Sequence, residues 1–201
     1  MGCRSTTGGP RCEPFAEKGC VVHWYWIDRF IEFESGSHAK AVKNVSLAEP
    51  YMHDHFAGYP ILPKSLVMEG LAQTGGLLVC EYGGFTKKVI LAKVPKARFF
   101  TEAVPGDRLV YDTTVEYIKE DGAMVTATSH INGHLQAEME IVFAHLNGGY
   151  GRSFEPTFFL KMMRVLGAFE VGAREPSEAC PACLAHYVSV GVAVRKRNAA
   201  A

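Results

Sequence analysis

From Lys64 to Tyr82 the chain reads KSLVMEGLAQTGGLLVCEY, a helix-length run that is apolar on almost every side. Leu66, Val67, Met68, Leu71, Leu77, Leu78 and Val79 cover most of a helical circumference, and a helix apolar all round is a buried one. It nevertheless carries a carboxylate, Glu69, and one turn later on the same face an amide, Gln73. An isolated carboxylate is costly to bury unless it is paired, neutralised or put to use. Gly70, Gly75 and Gly76 would each cost about 1 kcal/mol relative to Ala inside a helix. Their return is close approach of backbone, as when a sheet wraps around the helix. Just ahead lies a loop, HDHFAGYPILP, with two histidines, a glycine and two prolines, so His55 stands within one short segment of Glu69.

The flanking segments supply that sheet. Residues 1–20 are rich in Gly, Cys and charge without periodicity and read as a mobile lead. VHWYWIDRFIEFES alternates through Trp24, Trp26, Ile31 and Phe33 as a first strand, SGS turns, and HAKAVKNVS returns with Ala39, Ala41 and Lys43 on one face. After Gly83 and Gly84 stop the helix, four more strands follow at 89–100, 108–118, 123–131 and 134–146, punctuated by Pro105-Gly106, Asp121-Gly122 and Asn132-Gly133. This order predicts two strands, one buried helix and a four-stranded meander. One helix cannot cover both faces of a sheet, so an antiparallel sheet curled around the helix is the economical arrangement. Beyond a linker at Asn147–Ser153, PTFFLKMMRVLGAF predicts a short amphipathic helix with Phe158, Phe159, Met162, Met163, Val165 and Leu166 as its apolar face.

Several functions are disfavoured by what the chain contains. Its 201 residues carry no formal net charge, so nothing electrostatic points to nucleic acid or a membrane surface. No apolar run approaches the roughly 18 residues of a membrane span. The first residues lack the apolar stretch of an export signal, and the myristoylation pattern through Gly2 and Thr6 is short and loose. The six cysteines are scattered at Cys3, Cys12, Cys20, Cys80, Cys180 and Cys183, a distribution unlike a disulfide framework. The expectation is a reduced, cytoplasmic protein in which Cys80 is a small buried hydrophobe. His53-Asp54-His55 offers metal ligands on one face but has no third ligand nearby, and Cys180-Pro-Ala-Cys183 with His186 is only half of a zinc site. No metal is expected, and no organic cofactor.

At the central stretch the chain resembles the 3-hydroxyacyl-[acyl-carrier-protein] dehydratases of fatty-acid synthesis. That family's His-Phe-x-Gly-x-Pro-x-x-Pro-Gly motif, with a following acid and Ala-x-Ala-Gln, is matched by His55, Phe56, Gly58, Pro60, Pro63, Glu69, Ala72 and Gln73. The family's separation of 14 between His and acid is kept. Arg98-Phe99 ahead of Val104-Pro105-Gly106-Asp107 matches a second family segment, and the likeness spans residues 21–146. Two positions depart from the pattern: Lys64 replaces the Gly whose N–H receives the thioester oxygen, and Ala57 replaces a Pro. Lys keeps the N–H but adds a long side chain and gives up glycine's backbone freedom.

The resemblance implies an α+β hotdog fold, six antiparallel strands around one helix, occupying residues 21–147 between the lead 1–20 and a C-terminal extension 148–201. It implies dehydration of 3-hydroxyacyl-pantetheine thioesters on acyl carrier protein, in a homodimer or a multiple of dimers whose sites combine residues of two subunits. A neutral His near pH 7 suits the base. A carboxyl in an apolar setting suits the acid, and free N–H groups at a helix start suit the oxyanion. His55, Glu69 and the Lys64 N–H take these roles, with Gln73, Phe56 and Pro63 in support. Gln73 either orients the carboxyl or bonds backbone. Lys93, Lys96 and Arg98 either meet the pantetheine phosphate and the carrier or are solvated charges on a strand. A thioesterase of the same fold, and a non-catalytic acyl-binding or assembly subunit, are the competing functions.

Overall fold

The chain's architecture follows from a computed structural model that describes residues 25–55, 57–146 and 156–174. The lead, Phe56, the linker at 147–155 and the Cys180–Cys183 tail lie outside the described residues. The elements run in the order β1 (Arg29–Glu34), β2 (His38–Asn44), α1 (Tyr51–Asp54), α2 (Lys64–Tyr82), β3 (Lys88–Phe99), β4 (Arg108–Ile118), β5 (Gly122–Ile131), β6 (His134–Leu146) and α3 (Pro156–Val165), with a short 3₁₀ turn at Ala168–Glu170. All strand pairs are antiparallel, in the order β1-β2-β4-β5-β6-β3.

Period-two alternation decides which side of each strand meets the helix. On β5, Ala123, Val125, Ala127 and Ser129 are buried while their neighbours are half-exposed; on β6, Ala137, Met139, Ile141 and Phe143 are buried. Ala39, Ala41 and Lys43 share the buried face of β2, as their spacing predicts. Small residues at these positions let the sheet close on α2, whose Val67, Leu71 and Leu78 have no exposed surface. At 19 residues α2 is about 28 Å long and fills the trough. Asn132 and Gly133 have φ of 52° and 80°, the two positive values required by a two-residue type I′ hairpin.

Three expectations are corrected. The last four strands are not one meander: β4, β5 and β6 are consecutive, but β3 pairs with β6 at the far edge while β4 pairs with β2. A sheet that wraps a helix needs a strand along each flank of it. Sending β3 past the end of the helix to the opposite edge provides the second flank, which a simple meander would leave bare. The first strand begins at Arg29, later than the alternation suggests. Just ahead of it the Asp28 N–H still donates to the Val42 carbonyl at 2.7 Å, while the Trp26 N–H donates to Gln73 and the Asp28 carboxylate accepts from both the N–H and the side-chain amide of Asn44. A bulge between Phe30 and Glu32 then turns both Phe30 and Phe33 inward. On α3, Val165 is 69% exposed, and Leu160 takes the buried place the pattern gave it.

Candidate active site

Two structural accidents of sequence bring the site about. The first is α1, a single turn between β2 and α2. It is held by the ion pair of buried Lys43 with Glu49, by the buried side chain of Met52 and by the tilted ring pair Trp26–Tyr51, with centroids 5.4 Å apart. His55 ends this turn, its N–H donating to the Tyr51 carbonyl at 3.0 Å and its side chain half-buried. The chain then runs to α2, tethered by the Leu62 N–H to the Ala103 carbonyl at 2.8 Å. Pro63 is the N-cap, and its carbonyl accepts the N–H groups of Leu66 and Val67. The N–H groups of Lys64 and Ser65 precede any intrahelical acceptor and are the free donors of the helix start.

Lys64 fits that start without strain. The only non-glycine residues with positive φ among those described are Phe85 and Asn132, so position 64 does not call on glycine's freedom. Its ammonium lies 5.8 Å from the centroid of the Phe99 ring, which engages the long side chain with the end of β3.

The second is the polar face of α2. Gln73 Nε2 donates to Glu69 Oε1 at 2.9 Å, while Gln73 Oε1 accepts the Trp26 N–H at 2.9 Å. One end of the amide bonds the carboxyl and the other bonds backbone. Which way the amide points is thereby fixed by its neighbours.

Glu69 and Gln73 open onto a groove of about 180 Å³. Its floor is Ala72, Gly76, Leu77 and Cys80 of α2; Val89 and Leu91 of β3 and Phe143 of β6 form one side. Phe159 and Met162 of α3 also line it, and nothing in the sequence marked them as site residues. Their helix was legible as amphipathic, but periodicity gives no docking partner. Trp26 was missed for the same reason, since a backbone donor leaves no trace in residue type. Burial pushes the Cys80 thiol up to about 12, so it is wall and not nucleophile at neutral pH.

His55 is not among the residues lining this groove. Lys93, Lys96 and Arg98 are exposed on β3, opposite Val142, Glu140 and Glu138 of β6, and so share the outer face of the sheet. Glu138 lies 3.1 Å from Lys96 and 3.6 Å from Arg98. No cluster of metal-ligating side chains and no helix long and apolar enough to cross a membrane occur among the described residues.

Residues 23–145 match the family model described as a FabA-like domain. A protein of Pelotomaculum thermopropionicum named 3-hydroxyacyl-[acyl-carrier-protein] dehydratase FabZ is 34% identical over 131 residues, covering 63% of this chain and 94% of the relative. A protein of the same name from Streptococcus pyogenes serotype M3 is 40% identical over 121 residues, covering 59% and 85%. Among solved structures, a chain of the dehydratase heterocomplex ApeI:P from Xenorhabdus doucetiae superposes with a TM-score of 0.53 at 14% identity, over 61% of this chain and 84% of that one. The uncharacterised protein PH1136 from Pyrococcus horikoshii gives 0.52 at 15%, over 64% and 89%. These two share the fold, a hotdog.

Proposed function

The chain belongs to the FabA-like domain family, and from that premise we propose that it is a lyase dehydrating 3-hydroxyacyl thioesters on acyl carrier protein to trans-2-enoyl thioesters in fatty-acid synthesis. The observation that carries this reading is the Trp26–Gln73–Glu69 chain of hydrogen bonds, which presents a fixed carboxyl to an apolar groove.

In this mechanism the neutral imidazole of His55 takes a proton from the carbon next to the thioester carbonyl. Negative charge gathers on the carbonyl oxygen, where the free N–H of Lys64 and the positive end of α2 stabilise it. As the electrons return, the bond from the third carbon to its hydroxyl breaks, and Glu69 delivers the proton that lets the hydroxyl leave as water. Bond-making and bond-breaking balance without a redox partner.

The histidine facing Glu69 comes from a second copy of the chain. Three features support a homodimer: His55 is not among the residues lining its own chain's groove, β3 is a 12-residue edge strand paired on one side only, and Leu91 and Phe100 at that edge are 46% and 54% exposed. A long unprotected edge strand invites pairing with another strand. Among Lys93, Lys96 and Arg98, Lys93, which has no ion pair among the described residues, is the best placed for the pantetheine phosphate. Lys96 and Arg98 divide Glu138 between them and present the remaining positive charge to the carrier.

Purified protein incubated with a 3-hydroxyacyl carrier-protein thioester will yield the enoyl thioester, and the enoyl thioester will be hydrated in return. Release of free carrier thiol would instead indicate a thioesterase, and binding without turnover an acyl-binding subunit.

Gln73 acts as a positioning residue. Gln73→Leu removes the hydrogen bond that orients the Glu69 carboxyl and strands the Trp26 N–H. Such a bond contributes about 0.5–1.5 kcal/mol, so kcat falls about twofold to tenfold while KM changes little. Gln73→Glu keeps the acceptor for Trp26 but sets a second carboxyl against Glu69, and its pH–rate profile shifts; an unmoved profile with full kcat would remove Gln73 from this role.

A further inference from the structure

The groove has a wall that the family match does not include. The match ends at residue 145, whereas Phe159 and Met162 belong to α3 and line the same space as Glu69. Glu69, Gln73, Gly76 and Cys80 follow one face of α2, and the eleven residue steps from first to last span about 16 Å. The groove therefore leads from the carboxyl along the helix.

The segment bearing this wall is built into the domain. Leu160, Met163, Leu166 and Ala168 are each 5% exposed or less. The Phe30 N–H donates to the Leu166 carbonyl at 2.8 Å, so the segment occupies part of the free edge of β1. Farther on, the Arg174 N–H donates at 2.7 Å to Oε1 of Glu81, a carboxylate only 4% exposed near the end of α2. These anchors lie on both sides of the 3₁₀ turn, and they fix α3 against the core rather than leaving it as a tail.

We propose that Phe159 and Met162 set which acyl chains the groove accepts, an inference that rests on the dehydratase reading for its substrate class. Phe159 supplies a rigid face and Met162 an adaptable thioether. Together they bound the space open to the tail, so removing bulk there admits longer or bulkier chains and adding bulk rejects them.

The test compares the full chain with Phe159→Leu, Met162→Ala and Met162→Phe, each checked for native circular dichroism. Dehydration of short, medium and long 3-hydroxyacyl carrier-protein thioesters is measured alongside calorimetric binding of saturated acyl-pantetheine thioesters of the same lengths, which cannot react. In the two shaved variants the ratio of long-chain to short-chain kcat/KM rises about tenfold, and in Met162→Phe it falls by a similar factor; the binding ratios move in the same sense. Should the alanine and phenylalanine variants fail to fold, Phe159→Leu, the mildest change, decides. Shifted binding ratios without turnover by any form would overturn the dehydratase reading and leave the wall standing. Normal turnover with length ratios unchanged in the folded variants would overturn the wall and leave the reading intact. Failure of the full chain to bind any acyl thioester would overturn both.

Discussion

Replacing His55 by Ala, or Glu69 by Gln, is expected to lower the rate of 3-hydroxyacyl thioester dehydration by about 100- to 10,000-fold, the range that a positioned acid or base contributes. Both changes should leave the fold in place. His55 is half-buried at the end of a one-turn helix, and the interactions holding that turn come from Lys43, Glu49, Met52 and the Trp26–Tyr51 ring pair. Glu69→Gln keeps the size of the side chain and an oxygen that can still accept from Gln73 Nε2, but an amide cannot release a proton to the leaving hydroxyl. The histidine variant loses the base, and the loss appears in kcat more than in KM, because neither group supplies much ground-state binding. Steady-state kinetics beside a thermal melt make the comparison. Near-normal rates in either variant would remove the role assigned to it.

Gly70→Ala is expected to destabilise the protein by about 1–3 kcal/mol, against the sign helix propensity alone would give. In an exposed helix the same change would contribute about 1 kcal/mol of stability. Here a methyl built at Gly70 meets two ring carbons of Tyr111 at 2.5 and 2.7 Å and its hydroxyl oxygen at 2.8 Å. Tyr111 is 0% exposed on β4, so its ring has no open space to retreat into, and protein interiors are packed too densely to absorb such overlap. Gly76→Ala provides the contrast. Its nearest neighbours would be Phe143 ring atoms at 3.4 and 3.6 Å, a separation that a slight ring shift accommodates, and its effect on stability should be small. Urea unfolding of the two variants separates them, and equal stabilities would refute the account of why glycine stands at position 70.

Glycines inside α2 also mark the boundary of what residue types convey. Gly70, Gly75 and Gly76 announced that something comes close to the helix, and Tyr111, Val125 and Phe143 of the wrapped sheet are what comes close. The hydrophobic helix, the strand segments after it and the motif from His55 to Gln73 were readable because each depends on local period or on fixed spacing. Strand order was not. Whether β3 pairs with β4 or travels to β6 is decided by the need to flank the helix, a property of the closed sheet that no local pattern carries. The same holds for the site. Glu69 stood out as a carboxylate in apolar company, and Gln73 as its neighbour one turn on. The Trp26 N–H, which fixes the amide, is a backbone group, and Phe159 and Met162 reach the groove from about 90 residues away in sequence, a separation over which periodicity is silent.

The central claim is that each site joins the histidine of one copy to the carboxyl of another. Subunit exchange between His55→Ala and Glu69→Gln chains, carried out by co-refolding differently tagged proteins and verified by recovery of both tags in one particle, tests it most directly. In a two-fold dimer a mixed particle holds one site with both substitutions and one with neither, so an equal mixture should regain about a quarter of wild-type turnover. If mixed particles form and remain as inactive as their parents, His55 and Glu69 of the same chain make the site, and the shared-site account is wrong.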